Sequence, residues 1–182
     1  MPFHRRLVMA ALSAVLVVSA CGGSSSGGGG GTASVGIPGV VVERASGRNH
    51  RQGHIAYQGK KPPSGGDHNP NPLTCGFYDQ QPPDENAVHS LEHGAVWIAF
   101  DPSTSPSDVN VLKAFAKEDH VIVSPYAGMS APITVVAWEH RLELQSATDP
   151  RLKQFVDAFR NGPTAPEQGA ACAGVGQPLP VP

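Results

Sequence analysis

Apolar positions along the chain fall into runs and stripes, and each predicts an element. The solid run Ala95-Val96-Trp97-Ile98-Ala99-Phe100 predicts a strand buried on both faces, and Val121-Ile122-Val123 predicts a second. Ile133 to Leu144 is apolar as far as Trp138 and alternates afterwards, which predicts one long strand. Leu152, Phe155, Val156 and Phe159 recur at i, i+3, i+4 and i+7 behind an Asp149-Pro150 start, the plainest helical spacing in the chain. Val109, Leu112, Phe115 and Ala116 form a stripe on a second helix, capped by Ser107 and running to about Asp119. A short helix is expected from about Glu85 to His93: Pro82-Pro83 stops what precedes it, Asp84 is a good N-cap and Gly94 a good terminator. Ile55-Ala56-Tyr57 predicts an edge strand. The order strand, short helix, strand, helix, strand, strand, helix reads as a single α+β domain, a mixed sheet with flanking helices. It is compatible with a thioredoxin-like arrangement, although the chain has no Cys-x-x-Cys.

The N-terminus follows a different pattern. His4, Arg5 and Arg6 precede an apolar stretch from Leu7 to Val18, too short to span a bilayer comfortably, and Val18-Ser19-Ala20-Cys21 follows. This reads as a lipoprotein signal peptide, residues 1–20, with Cys21 lipidated as the mature N-terminus. Residues 21–39 are then a Gly/Ser-rich tether, residues 40–172 the globular domain, and residues 173–182 an irregular Pro-rich tail. The implied place is the extracytoplasmic face of the cell membrane, held there by lipid. Loss of Arg5 and Arg6 with the signal lowers Lys+Arg from 13 to 11 against 15 Asp+Glu, so the mature chain carries −4. With charged residues at 15% there is no basic footprint for nucleic acid.

Two cysteines remain, Cys75 and Cys172, and outside the cytoplasm such a pair is expected as a disulfide. The alternative, a Cys metal ligand, lacks a Cys or His close by in sequence.

His89 and His93 are four apart on the short helix, so both imidazoles lie on one face and can reach one metal ion. The plain alternative is two surface histidines on a helix. His68 lies in a loop, residues 60–72, with four prolines and two glycines, which excludes regular structure.

Three segments together resemble the domain-of-unknown-function family numbered 3105, found largely in bacterial secreted and membrane-anchored proteins. They are Tyr57 with Pro62-Pro63-Ser64-Gly65-Gly66-Asp67-His68, then Val88-His89-Ser90-Leu91-Glu92-His93-Gly94, then Ala137-Trp138. Gly65 and Asp67 depart from the family's usual Ser and Pro. The family name confers no activity, but the resemblance places His68, His89, His93 and His50 at motif positions.

Imidazoles suit zinc and copper alike. Met129, in a loop between two strands, adds a thioether that favours Cu(I); its alternative role is a gap-filling hydrophobe. The expected site is therefore His68, His89, His93 and Met129, with His50 as a further ligand and Glu92 as a hydrogen-bonding support. Copper is preferred and zinc is the alternative. A rival reading is catalytic: His89-Ser90-Leu91-Glu92-His93 fits the inverted zinc-peptidase motif H-x-x-E-H. It needs a third carboxylate ligand, for which Glu118, Glu139, Glu143 and Glu167 are available without a matching motif. A third reading is a structural or interaction lipoprotein without metal.

Overall fold

A six-stranded mixed sheet frames the molecule, in the spatial order β1 (Val41–Val42), β6 (His140–Leu144), β5 (Ile133–Ala137), β3 (Val96–Phe100), β4 (Val121–Pro125) and β2 (Gly76–Phe77). Strands β2, β3 and β4 are parallel to one another, and β1, β5 and β6 join antiparallel. The helices are α1 (Asp84–Glu92), α2 (Pro106–Phe115) and α3 (Pro150–Phe159). The computed structural model describes Met1, residues 36–59 and residues 61–181. The expected signal peptide beyond Met1, Cys21 and most of the expected tether lie outside the described residues. Among the described residues no helix is long and apolar enough to cross a membrane.

The solid apolar runs are explained by a sheet covered on both faces. Val96, Ile98 and Phe100 of β3 face Leu112 of α2 and Leu152, Phe155 and Phe159 of α3. Trp97 and Ala99 face the other way, with Ile122 and Val136, onto Ala87, Val88 and Leu91 of α1. Trp97 is fully buried, and its indole N–H donates to Ser124 Oγ at 2.9 Å.

Several local expectations are corrected. Ile133 to Leu144 is a hairpin, not one strand: Ala137 pairs with His140 across a two-residue turn at Trp138–Glu139. The change from continuous to alternating hydrophobicity marks a change of strand. Such turns favour Gly, Asn or Asp because they need positive φ. Here Glu139 adopts φ 60° and is held by tertiary bonds. Its N–H donates to Ser64 O, its carbonyl accepts from Glu43 N–H, and its carboxylate accepts from Ala45 N–H. Ile55–Tyr57 is not a strand; β1 and β2 are the edges, and two residues each are too few to show a period. Helix α2 is capped by Ser105, whose Oγ accepts from Asp108 N–H, not by Ser107, and it stops at Phe115. Pro83 occupies the N-cap of α1, and Asp84 is its first residue, accepting from Tyr126 Oη.

Cys75 and Cys172 form a disulfide, 97 residues apart in sequence with Cα atoms 5.5 Å apart. The tail beyond it is irregular but docked: Val175 bridges to Leu73 and Leu179 to Phe77.

Candidate metal centre

Helix α1 is short, polar in sequence and almost entirely buried, with Asn86, His89, Ser90 and Glu92 all enclosed. Two segments wrap it and satisfy its backbone carbonyls and the Ser90 hydroxyl. From the loop before it, Asn69 N–H donates to Glu85 O and Leu73 N–H to Asn86 O, while Ser90 Oγ donates to Leu73 O. From the C-terminal segment, Glu167 N–H donates to Glu92 O. The helix ends in a Schellman arrangement, Ala95 N–H to Ser90 O and Gly94 N–H to Leu91 O. Gly94 has φ 99°, and a Cβ there would meet Asn161 Cα at 2.9 Å, so glycine is required on both counts.

The loop carrying His68 is held as firmly. His68 and His50 form a parallel bridge, with His68 N–H to Asn49 O and Arg51 N–H to His68 O. Asp67 accepts from the Asn49 backbone and side chain, and the Asn49 backbone bond in particular holds its carboxyl below the ordinary range. Tyr57 Oη donates to Asp67 O at 2.7 Å; burial, then the charges of Glu85, Asp84 and Asp67, push its phenol well up.

Three histidines are oriented in the same way. Nδ1 of His68 lies 2.8 Å from Gly66 O, Nδ1 of His89 2.6 Å from Asn69 O, and Nδ1 of His93 2.7 Å from Ala171 O. A carbonyl can only accept, so each Nδ1 carries a proton and donates it, which leaves Nε2, turned the other way, as the one ring atom able to offer a lone pair to a metal. Backbone carbonyls fix metal-binding imidazoles in this manner. The rings are gathered: His50–His68, His50–His89 and His68–His89 centroids are 5.0, 4.8 and 4.8 Å apart, and His89–His93 4.5 Å. Trp138 meets His68 edge-on at 5.9 Å. Burial, and secondarily the neighbouring histidines, push His89 from 6.5 down to about 4, so its ring is neutral at pH 7, as a metal ligand must be.

Glu92 enters this group. Its Oε2 lies 2.9 Å from His68 Nε2 and 3.9 Å from His50 Nε2, and its Oε1 lies 3.2 Å from Arg48 Nε. His68 is 0% exposed and Glu92 2%. Although close, His68 Nε2 and Glu92 Oε2 are not aligned as a hydrogen bond, and both are buried without a hydrogen-bond partner. A ring nitrogen and a carboxylate oxygen facing each other on two buried side chains form a pair that a shared cation can satisfy. Two ligands at right angles, each about 2.05 Å from one ion, stand about 2.9 Å apart. The residues present therefore fit a metal ion.

Two sets of ligand atoms converge within 4.8 Å: His50, His68, His89 and Glu92, and beside them His89, His93 and Glu167. Of the expected site, His50, His68 and His89 come together, and His93 belongs to the adjoining set. Glu92 was expected as a support, and the structure places it among the candidate ligands. The i, i+3 spacing from His89 carried that signal. Arg48 and Glu167 had no local signature. Met129 is corrected: it packs on the core and lines a cavity with Asp101, Asp108 and Gln145 that contains none of the histidines. Helix α1 turns directly into β3 and runs back along it. The loop after β4 therefore meets the start of α1, through Tyr126 and Asp84, while the histidines line its later turns.

A family model described as a protein of unknown function (DUF3105) matches residues 49–174, and the chain belongs to that family. No curated protein and no solved structure matches the chain.

Proposed function

We propose that this is a membrane-anchored extracytoplasmic lipoprotein that binds a transition-metal ion through His50, His68, His89 and Glu92. The observation that carries the reading is the facing, unbonded pair of His68 Nε2 and Glu92 Oε2 on two buried side chains, with the His68 and His89 rings already oriented by backbone carbonyls. Three imidazoles and a carboxylate suit Cu(II) and Zn(II), and copper heads the affinity order for such ligands. With Met129 elsewhere, the set favours Cu(II) over Cu(I). The membrane anchor rests on the sequence from His4 to Cys21.

The hydrolytic reading gains one observation: Glu167 reaches His89 and His93, as a third zinc ligand would. Against it, Glu92, the base of that motif, is enclosed, with Arg48 at one oxygen and His68 at the other. A general base must face a reacting water, so metal binding without hydrolysis is the better-supported reading.

The test is direct titration of the full chain, purified without a histidine tag, with Cu(II) and Zn(II). The wild type takes up one ion per chain, and His68→Ala loses at least about 100-fold in affinity with its circular dichroism unchanged. A folded wild type that binds neither ion would leave an interaction lipoprotein without metal.

A further inference from the structure

The two ligand sets share His89, and their carboxylates differ in exposure. In the inner set the side chains of His68 and Glu92 are 0% and 2% exposed and only His50, at 49%, meets solvent, whereas in the outer set the carboxylate itself, on Glu167, is 47% exposed. The outer set is held in place from behind. Ala171 O accepts from His93 Nδ1, the next residue is Cys172 of the disulfide, and the Glu167 backbone donates to Glu92 O. His93 Nε2 then stands 3.5 Å from Glu167 Oε2.

His89 offers one free ligand atom. Its Nδ1 proton is engaged by Asn69 O, which leaves the Nε2 lone pair, and one lone pair binds one ion. The sets are therefore alternatives for a single ion, not a dinuclear centre.

Resting on the metal-binding reading above, we infer that His89, His93 and Glu167 form an outer exchange position for a divalent transition-metal ion, passed to and from the inner set through the shared His89. Moving between positions breaks the bonds to Glu167 and His93 and makes those to His68, His50 and Glu92, while the bond to His89 is kept. The ion is never released bare into the interior. The inner set, with one more imidazole and a buried carboxylate, holds the ion at equilibrium. The outer set sets the rate.

The experiment follows Cu(II) loading and EDTA stripping of the full chain by stopped-flow tryptophan fluorescence, Trp138 being the reporter beside His68. Titration with Cu(II) and with Zn(II) gives the stoichiometry. His93→Ala and Glu167→Gln keep one ion per chain and an affinity within about threefold of wild type, while loading and stripping both slow about tenfold or more. Glu167 is exposed enough that its variant tests the idea even if His93→Ala folds poorly. His68→Ala still takes one ion, about 100-fold more weakly, and adding His93→Ala removes it. Two ions per chain at saturation would overturn the shared-ligand inference. So would unchanged rates in both outer variants, which would leave His93 and Glu167 a surface ion pair. A loss of affinity in Glu167→Gln as large as in His68→Ala would overturn it too, because one undivided site would then be in use. Each of these results leaves the metal-binding reading standing; a wild type that binds no metal removes both.

Discussion

His68 Nε2 and Glu92 Oε2 stand 2.9 Å apart in the interior, and neither has a hydrogen-bond partner. One comes from a Gly/Pro loop and the other from the last turn of α1, so two separately anchored elements bring a ring nitrogen and a carboxylate to one point. In the proposed site a shared ion satisfies both.

Glu92→Gln separates those two conditions. The amide replaces a buried charge with a neutral group and sets a donor beside His68 Nε2. Metal-free stability, read by urea unfolding, is expected to stay within about 1 kcal/mol of wild type or to rise. Affinity for Cu(II) and Zn(II) falls by at least about 100-fold in titration calorimetry.

His89 makes metal-free stability depend on pH. Its folded value is depressed to about 4 against 6.5 unfolded, so below pH 6.5 the unfolded chain binds the proton more readily. The contribution is complete above pH 6.5, is lost as pH falls toward 4, and changes no further below that. Urea midpoints of wild type and His89→Gln at pH 7.5, 5.5 and 4.5 check it: the wild type loses more over that span than the variant.

The disulfide closes a long loop, and its removal in Cys75→Ser/Cys172→Ser costs about 2–5 kcal/mol in urea unfolding. Because Ala171, the neighbour of Cys172, orients His93, the same variant loosens the His93 ring. NMR of the ring protons will show broadening at His93 and little change at His68.

Arg141 is 1% exposed and is fully engaged, by Glu43 at 2.9 Å and by the carbonyls of Lys61 and Pro62. Arg141→Met leaves those acceptors unpaired beneath the loop that carries His68. The expected cost is about 3–5 kcal/mol in chemical unfolding, and Arg141→Lys does not restore it, because an ammonium cannot reproduce the fork.

Met129→Ala leaves the affinities for Cu(II) and Zn(II) and their ratio unchanged in competition titration, since the thioether lines a cavity that contains none of the histidines.

The central elements were legible because burial and period agree in them. Trp97 and Ile98 belong to opposite faces of a doubly covered sheet, and Phe155 and Phe159 to one stripe of α3. The hairpin at Trp138–Glu139 was not legible, because Glu139 takes its positive φ from hydrogen bonds to Ser64, Glu43 and Ala45, which lie far away in sequence. The site divides the same way. His89 and His93 announce themselves by helical spacing, and Glu92 does so once i, i+3 is read as well as i, i+4. Glu167 depends on where the disulfide carries the C-terminal segment, and Met129 was misplaced because a loop's position in sequence does not say which end of a helix it meets.

The most direct test of the proposed metal centre is X-ray absorption on the copper-loaded full chain. The account predicts a first shell of nitrogen and oxygen only, with outer-shell scattering from imidazole rings that weakens in His68→Ala and is unaltered in Met129→Ala. A sulfur scatterer at about 2.3 Å, or a spectrum unchanged by His68→Ala, would contradict it.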